Sequence, residues 1–158
     1  MKLLVLSDSH GQMEPMRLAI KRENPDTVIH LGDYITDCDH LSRELGLLPV
    51  VGVRGNCDFG HADRQEQWLC TLEGIRIFAV HGHRYGVKQG LLRAELAARQ
   101  QEAQLLLFGH THQPYCECYE GLWLLNPGAC SGRRPSYGVV TIENGGIECR
   151  LETVKEPD

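Results

Sequence analysis

A chain of 158 residues with 16 Lys and Arg against 21 Asp and Glu, a net charge of −5, has room for one core and none for a second, so one domain over 1–158 is expected. No basic cluster offers the footprint that non-specific duplex binding needs, and no apolar stretch approaches the roughly 18 residues of a membrane span. The N-terminus is too short in apolar residues for a signal peptide, and seven cysteines (38, 57, 70, 116, 118, 130 and 149) without a CxxC pair read as reduced thiols, which together place the protein in the cytosol.

In chain order, Leu3-Leu4-Val5-Leu6 is an unbroken apolar run that ends in Ser7-Asp8-Ser9-His10. Such runs read as strands buried on both faces. Met13, Met16 and Ile20 follow i, i+3, i+7, a helix with a core stripe, ended by Pro25-Asp26. The run Thr27-Val28-Ile29-His30-Leu31 leads to Gly32-Asp33; Cys38, Leu41 and Leu45 repeat the helical spacing up to Gly46; and Val50-Val51-Gly52-Val53 leads to Arg54-Gly55-Asn56-Cys57-Asp58.

Past Gly60 the pattern changes. Residues 68–72 and 75–80 straddle Glu73-Gly74 as a hairpin whose second arm ends in His81-Gly82-His83. Val87, Leu91, Ala94 and Ala98 predict a third helix, and Leu105-Leu106-Leu107-Phe108 a strand that ends in Gly109-His110-Thr111-His112. Two further hairpins, 115–119 with 122–125 and 137–142 with 147–151, turn at Glu120-Gly121 and Asn144-Gly145-Gly146; residues 155–158 are expected to fray. A parallel half followed by an antiparallel half most simply packs as two mixed sheets with helices outside, a four-layer αββα sandwich of the α/β class.

Five runs therefore end in metal-ligand types: Asp8, His10, Asp33, Asn56, His81, His110 and His112. Ligands of open α/β sheets gather at the carboxyl ends of the strands, so the five ends are expected to converge. Seven donors exceed what one divalent ion uses, whereas two ions sharing Asp33 would each have a protein shell of four. Mixed imidazole and carboxylate favour Mn, Fe, Zn or Ni over Mg alone. Two dications, two carboxylates and a hydroxide leave the centre net positive, which suits an anionic phosphate. His30, His40 and His61 lack this context and read as satisfied core or solvated surface. Arg54, Arg133 and Arg134 are candidate substrate clamps, although an exposed arginine is more often plain surface. His83, separated from His81 by one residue, is the candidate accessory group. Cys116 and Cys118 would share a face of one strand as core or edge thiols.

The succession Asp8-x-His10, Gly32-Asp33, Gly55-Asn56-Cys57-Asp58, His81-Gly82-His83 and Gly109-His110-Thr111-His112 resembles the calcineurin-like metallophosphoesterase superfamily. The short chain and its Asn126-Pro127-Gly128 turn are similar to the small YfcE-like phosphodiesterase group, and the resemblance runs from Met1 to about Leu151. It implies a four-layer sandwich and hydrolysis of phosphate esters by in-line attack of a hydroxide bridging two divalent metals. Position by position, it implies Asp8, His10 and His112 on the first metal, Asn56, His81 and His110 on the second, and Asp33 between them. Manganese is the first expectation, with Ni, Fe, Zn or Mg as alternatives.

The resemblance also makes Asn56 and Cys57 the expected catalytic residues. The Asn56 amide could reach a phosphate oxygen in the transition state. Phosphomonoesterases of the superfamily usually carry a histidine after that asparagine; here the residue is Cys57, an uncharged thiol and a poorer proton donor to an alkoxide. The YfcE-like group shares the cysteine, so a small phosphodiester is the expected substrate. Two rivals remain: a non-catalytic scaffold like the retromer subunit of this fold, which would need no complete ligand set, and a phosphomonoesterase or protein phosphatase, against which Cys57 and the lack of long insertions speak. Assembly into a homo-oligomer is left open.

Overall fold

The computed structural model describes residues 1–156. It contains β1 (Lys2–Leu6), α1 (Met13–Glu23), β2 (Thr27–His30), α2 (Ile35–Leu45), β3 (Val50–Gly52), β4 (Gln67–Leu72), β5 (Ile75–Val80), α3 (Leu92–Gln100), β6 (Leu105–Leu107), β7 (Tyr115–Tyr119), β8 (Leu122–Asn126), β9 (Ser136–Glu143) and β10 (Gly146–Thr153). One five-stranded sheet has the order β10-β9-β1-β2-β3 and the other β4-β5-β6-β8-β7.

The unbroken apolar runs are divided by strand alternation between two cores. Leu3, Val5, Ile29 and Leu31 face Ile77, Ala79, Leu105 and Leu107 between the sheets. Leu4, Leu6 and Val28 turn outward to Met16, Ile20 and Leu41, and Phe78, Val80 and Leu106 turn outward to Ala94 and Ala98. Helix, sheet, sheet and helix are thus the four layers expected. No helix among the described residues is long and apolar enough to cross a membrane.

Three details differ from the sequence reading. The third helix starts at Leu92, not Val87: Val87 and Leu91 do pack with Ala94 and Ala98, but Gly90, at φ 151°, breaks the helix between Val87 and Leu92. Apolar spacing reports which residues are buried, and a loop can satisfy it too. The C-terminal half is also not simply antiparallel, because β8 lies parallel to β6 with Leu106 beside Leu124, while β9 leaves that sheet and pairs antiparallel with β1. A hairpin signal fixes the local partner and says nothing of the distant one. Finally, β10 begins at Gly146, directly after an Asn144-Gly145 turn with both φ values positive, the backbone a two-residue hairpin requires. Of the tail expected to fray, Pro157 and Asp158 lie outside the described residues.

Candidate metal centre

All seven ligand candidates follow strand ends on one rim of the sandwich: Asp8 and His10 after β1, Asp33 after β2, Asn56 after β3, His81 after β5, and His110 and His112 after β6. Asp8, His10, Asp33 and His112 each offer a donor atom, and these atoms lie within 4.8 Å of one another. Asp8 Oδ1 stands 3.1 Å from His112 Nε2, 3.9 Å from His10 Nε2 and 4.0 Å from His81 Nε2. Asp33 Oδ1 stands 3.5 Å from His81 Nε2, and the His110 ring packs edge-on to that of His81 with centroids 5.0 Å apart.

The donor chemistry fits a cation. His81 Nδ1 donates to the Leu31 carbonyl at 2.7 Å, which fixes the tautomer of a neutral ring and leaves a lone pair on Nε2. That lone pair faces Asn56 Oδ1 at 3.1 Å, acceptor against acceptor. His10 Nε2 is buried with no hydrogen-bond partner among the described residues. Acceptors that face one another, and an orphaned buried nitrogen aimed into the same space, are what a divalent ion would satisfy.

The backbone is bent to aim these groups. Asp8, His10, Asp33, His110 and His112 all have φ between 48° and 70°, five of the seven candidates in the left-handed region that non-glycine residues seldom enter. Each such residue costs on the order of 1–3 kcal/mol, and this kind of strain gathers at functional sites. Two glycines make the crowding tolerable. A Cβ on Gly55 would strike the Asp33 carboxylate and come within 2.9 Å of His81, and one on Gly109 would strike Ser7 Oγ.

Burial opposes ionisation of Asp33, but the neighbouring His81 ring, the Cys57 N–H and thiol, and His10 together hold its carboxyl below the ordinary range. Burial pushes His110 down to about 4, aided by His81 and Lys88, so its ring is neutral and ready to ligate at physiological pH. His83 is held below its usual value by burial, by the adjacent His81 ring and by the charge of Arg84; its Nδ1 is buried and has no partner among the described residues, and its ring lies 5.5 Å from that of His81. Cys57 is exposed at the rim, its N–H donating to Asp33 Oδ1 at 2.9 Å; partial desolvation and the Asp33 carboxylate raise its thiol pKa.

Several residues to which the sequence reading gave no part in the centre hold these loops; His30 is the satisfied core residue expected of it. Asp58 accepts backbone N–H groups from Asp33, Ile35 and Gly55. His30 is buried and accepts the Gly32 N–H on Nδ1, so its Nε2 donates to Ser9 Oγ at 2.9 Å. Ser9 Oγ in turn donates to Asp37 Oδ2 at 2.6 Å, and the same oxygen accepts the Gly11 N–H. Asn126 donates to the Gly109 carbonyl and to Thr111 Oγ1, bracketing His110. The only sequence signal was proximity: Asp58, Ser9 and His30 all sit within three residues of a ligand candidate. His40 is exposed and His61 half-buried, both away from these contacts.

The arginines divide. Arg54 is engaged by Glu66, which also takes two hydrogen bonds from Arg84, so Arg54 is tied into an ion-pair network. Arg133 and Arg134 are exposed on the loop before β9. Ser131 Oγ donates to the Asp8 carbonyl at 2.7 Å and the Gly132 N–H to Gln12 Oε1 at 3.1 Å, which fastens that loop beside the centre.

Comparison with known proteins agrees with this geometry. The family model of the calcineurin-like phosphoesterase superfamily domain matches residues 1–145. The chain is 35% identical over 157 residues to YsnB of Bacillus subtilis (strain 168), named a probable metallophosphoesterase, with 96% of this chain and 90% of that protein covered. It is 28% identical over 167 residues to YfcE of Escherichia coli (strain K12), named a phosphodiesterase, with 89% and 87% covered. A conserved protein of Streptococcus pneumoniae TIGR4, described as a predicted phosphoesterase, has a similar solved structure: the TM-score is 0.77 at 27% identity, over 96% of this chain and 88% of that one. With the motifs, the fold and the match over most of its length in agreement, this chain belongs to the calcineurin-like phosphoesterase superfamily.

Proposed function

We propose that the protein is a metal-dependent phosphodiesterase acting on small phosphodiesters in the cytosol. The observation that carries the reading is the pair His81 Nε2 and Asn56 Oδ1, two acceptors 3.1 Å apart beside the buried, partnerless His10 Nε2. Asp8, His10 and His112 would hold one divalent ion, Asn56, His81 and His110 a second, and Asp33 would be shared, with manganese the first candidate. Bound there, the ions would supply Lewis acidity and a water acidic enough to act as nucleophile near neutral pH.

The chain's own residues do the rest. The left-handed loops fix the donors before substrate arrives, so little reorganisation is needed when charge develops. Asn56, exposed at the rim, would direct its amide at a phosphate oxygen, and Cys57 beside it would take the leaving-group side. YfcE, named a phosphodiesterase, supports this choice of ester over a monoester. A scaffold would gain nothing from five strained ligand residues and an orphaned buried imidazole nitrogen.

The test is a panel assay after chelation and re-addition of Mn, Ni, Mg or Zn. Bis-p-nitrophenyl phosphate should be hydrolysed only with metal, and glycerol phosphate hardly at all. Metal-independent turnover, or no turnover with any ion, would refute the reading.

A further inference from the structure

Next to the centre, a cavity of about 480 Å³ opens between the segment preceding α3 and the loop that follows β6. Its wall is apolar and aromatic: Val87, Leu91, Phe108 and Tyr115, with the Phe108 and Tyr115 rings 6.3 Å apart and inclined at 54°. Its edge is polar, formed in part by Lys88 and Thr111. Thr111 lies between His110 and His112, so the cavity and the metal centre share one loop. Lys88 is exposed, and its charge bears on the His110 ring. Organic ligands bind in concave, mostly apolar sites of roughly 300–1,000 Å³ with a few polar groups at the edge, and this cavity has that size and lining.

We propose that this cavity is the subsite for the nucleobase of a nucleoside-bearing phosphodiester, with its phosphate at the metal centre and Lys88 as a cation at the junction. The assignment rests on the phosphodiesterase reading. Tyr115 is partly exposed, at 38%, beside buried Val87 and Phe108, so part of its ring is accessible for stacking on a flat ligand. Stacking on an aromatic side chain tolerates any base, because every base has a π-face. An extended alkyl group could bury against the same apolar wall but could not stack on the Tyr115 ring, and that stacking favours a base.

The experiment compares two esters with the same leaving group, the p-nitrophenyl esters of thymidine 5′-phosphate and of methyl phosphate, on the Mn-loaded protein. Tyr115→Ala and Leu91→Ala should each raise KM for the thymidine ester about tenfold and leave that for the methyl ester unchanged. A parallel change on both esters, or none on either, overturns the proposal. If neither ester is hydrolysed with Mn, Ni, Mg or Zn, the phosphodiesterase reading fails, and the cavity is judged separately by NMR saturation transfer. Base protons of thymidine 5′-phosphate should then receive saturation from the wild type and lose it with Tyr115→Ala. Absence of that transfer, or its persistence in the variant, overturns the subsite. Phe59→Ala, at an exposed aromatic outside the cavity, should change none of these readings; if it alone abolishes the transfer, the base stacks elsewhere.

Discussion

The carboxylate of Asp58 grips the backbone of Asp33. Its Oδ2 accepts the Asp33 N–H at 3.0 Å and the Gly55 N–H at 2.7 Å, and its Oδ1 accepts the Ile35 N–H at 2.7 Å. One buried side chain thus sets the spacing of the loops after β2 and β3 and satisfies a donor in the first turn of α2, whose own N-cap residue, Tyr34, makes no side-chain cap.

Asp58→Asn would turn an NH2 group toward at least one of those three N–H donors. Each buried donor left unsatisfied costs about 1–3 kcal/mol, and loss of a partner that orients metal ligands typically weakens metal binding by about 10–100-fold. The variant should therefore melt lower and bind manganese more weakly while its seven candidate ligands stay intact. Calorimetric titration with Mn checks this; unchanged affinity would mean the loops keep their spacing without Asp58.

Asp33→Asn should be more severe at the centre and milder in the fold. As the proposed shared ligand, Asp33 serves both ions, so removing its charge should weaken two sites at once and abolish turnover. Elemental analysis should find two Mn ions per chain in the wild type and fewer in the variant. One ion or none in the reconstituted wild type would sink the dinuclear reading.

How much of this was legible in the sequence depended on whether the cause was local. The strand ends and their ligands were readable because an apolar run followed by Asp or His is written within ten residues, and the five runs place Asp8, Asp33, Asn56, His81 and His110 on one rim. Asp58 was not readable, because its meaning lies in the N–H of Asp33, 25 residues away. The same holds for Arg54, whose engagement by Glu66 depends on how residues 55–65 loop back. The parallel pairing of β8 with β6 is likewise a tertiary choice that the Glu120-Gly121 hairpin does not state.

Stability should depend on pH through Glu23, far from the centre. Its buried carboxylate accepts Tyr137 Oη at 2.9 Å and Arg150 Nη2 at 2.5 Å. Burial alone would raise its pKa, but the hydrogen bonds from Arg150 and Tyr137 outweigh that, and the pKa is lowered from the ordinary 4.5. A carboxyl depressed in the folded state adds stability above its unfolded pKa, and that contribution is lost as pH falls through the folded one. Glu23→Gln should thus be less stable than wild type at pH 7, by about 1–3 kcal/mol for a charged hydrogen-bonded partner. The difference should shrink as pH falls below 4.5. Melting curves across that range check it; a constant gap would assign the effect to packing rather than charge.

Cys57 carries the sharpest prediction about substrate choice. It is exposed, and its backbone N–H is bound to Asp33 Oδ1, so the side chain projects from a fixed point at the rim instead of filling a core position. Its thiol pKa is raised, which makes it a weak acid toward a departing alkoxide. Turnover should therefore depend steeply on leaving-group acidity. Cys57→His should raise monoester activity relative to diester activity, by about 10²-fold at best, the low end for a well-placed general acid. Cys57→Ala should leave nitrophenyl diester turnover largely intact, and because the position is exposed neither variant should melt much lower than wild type. Steady-state rates of both variants on matched monoester and diester substrates decide the point. If the two rates of Cys57→His fall in parallel while the protein stays folded and metal-loaded, position 57 does not face the leaving group.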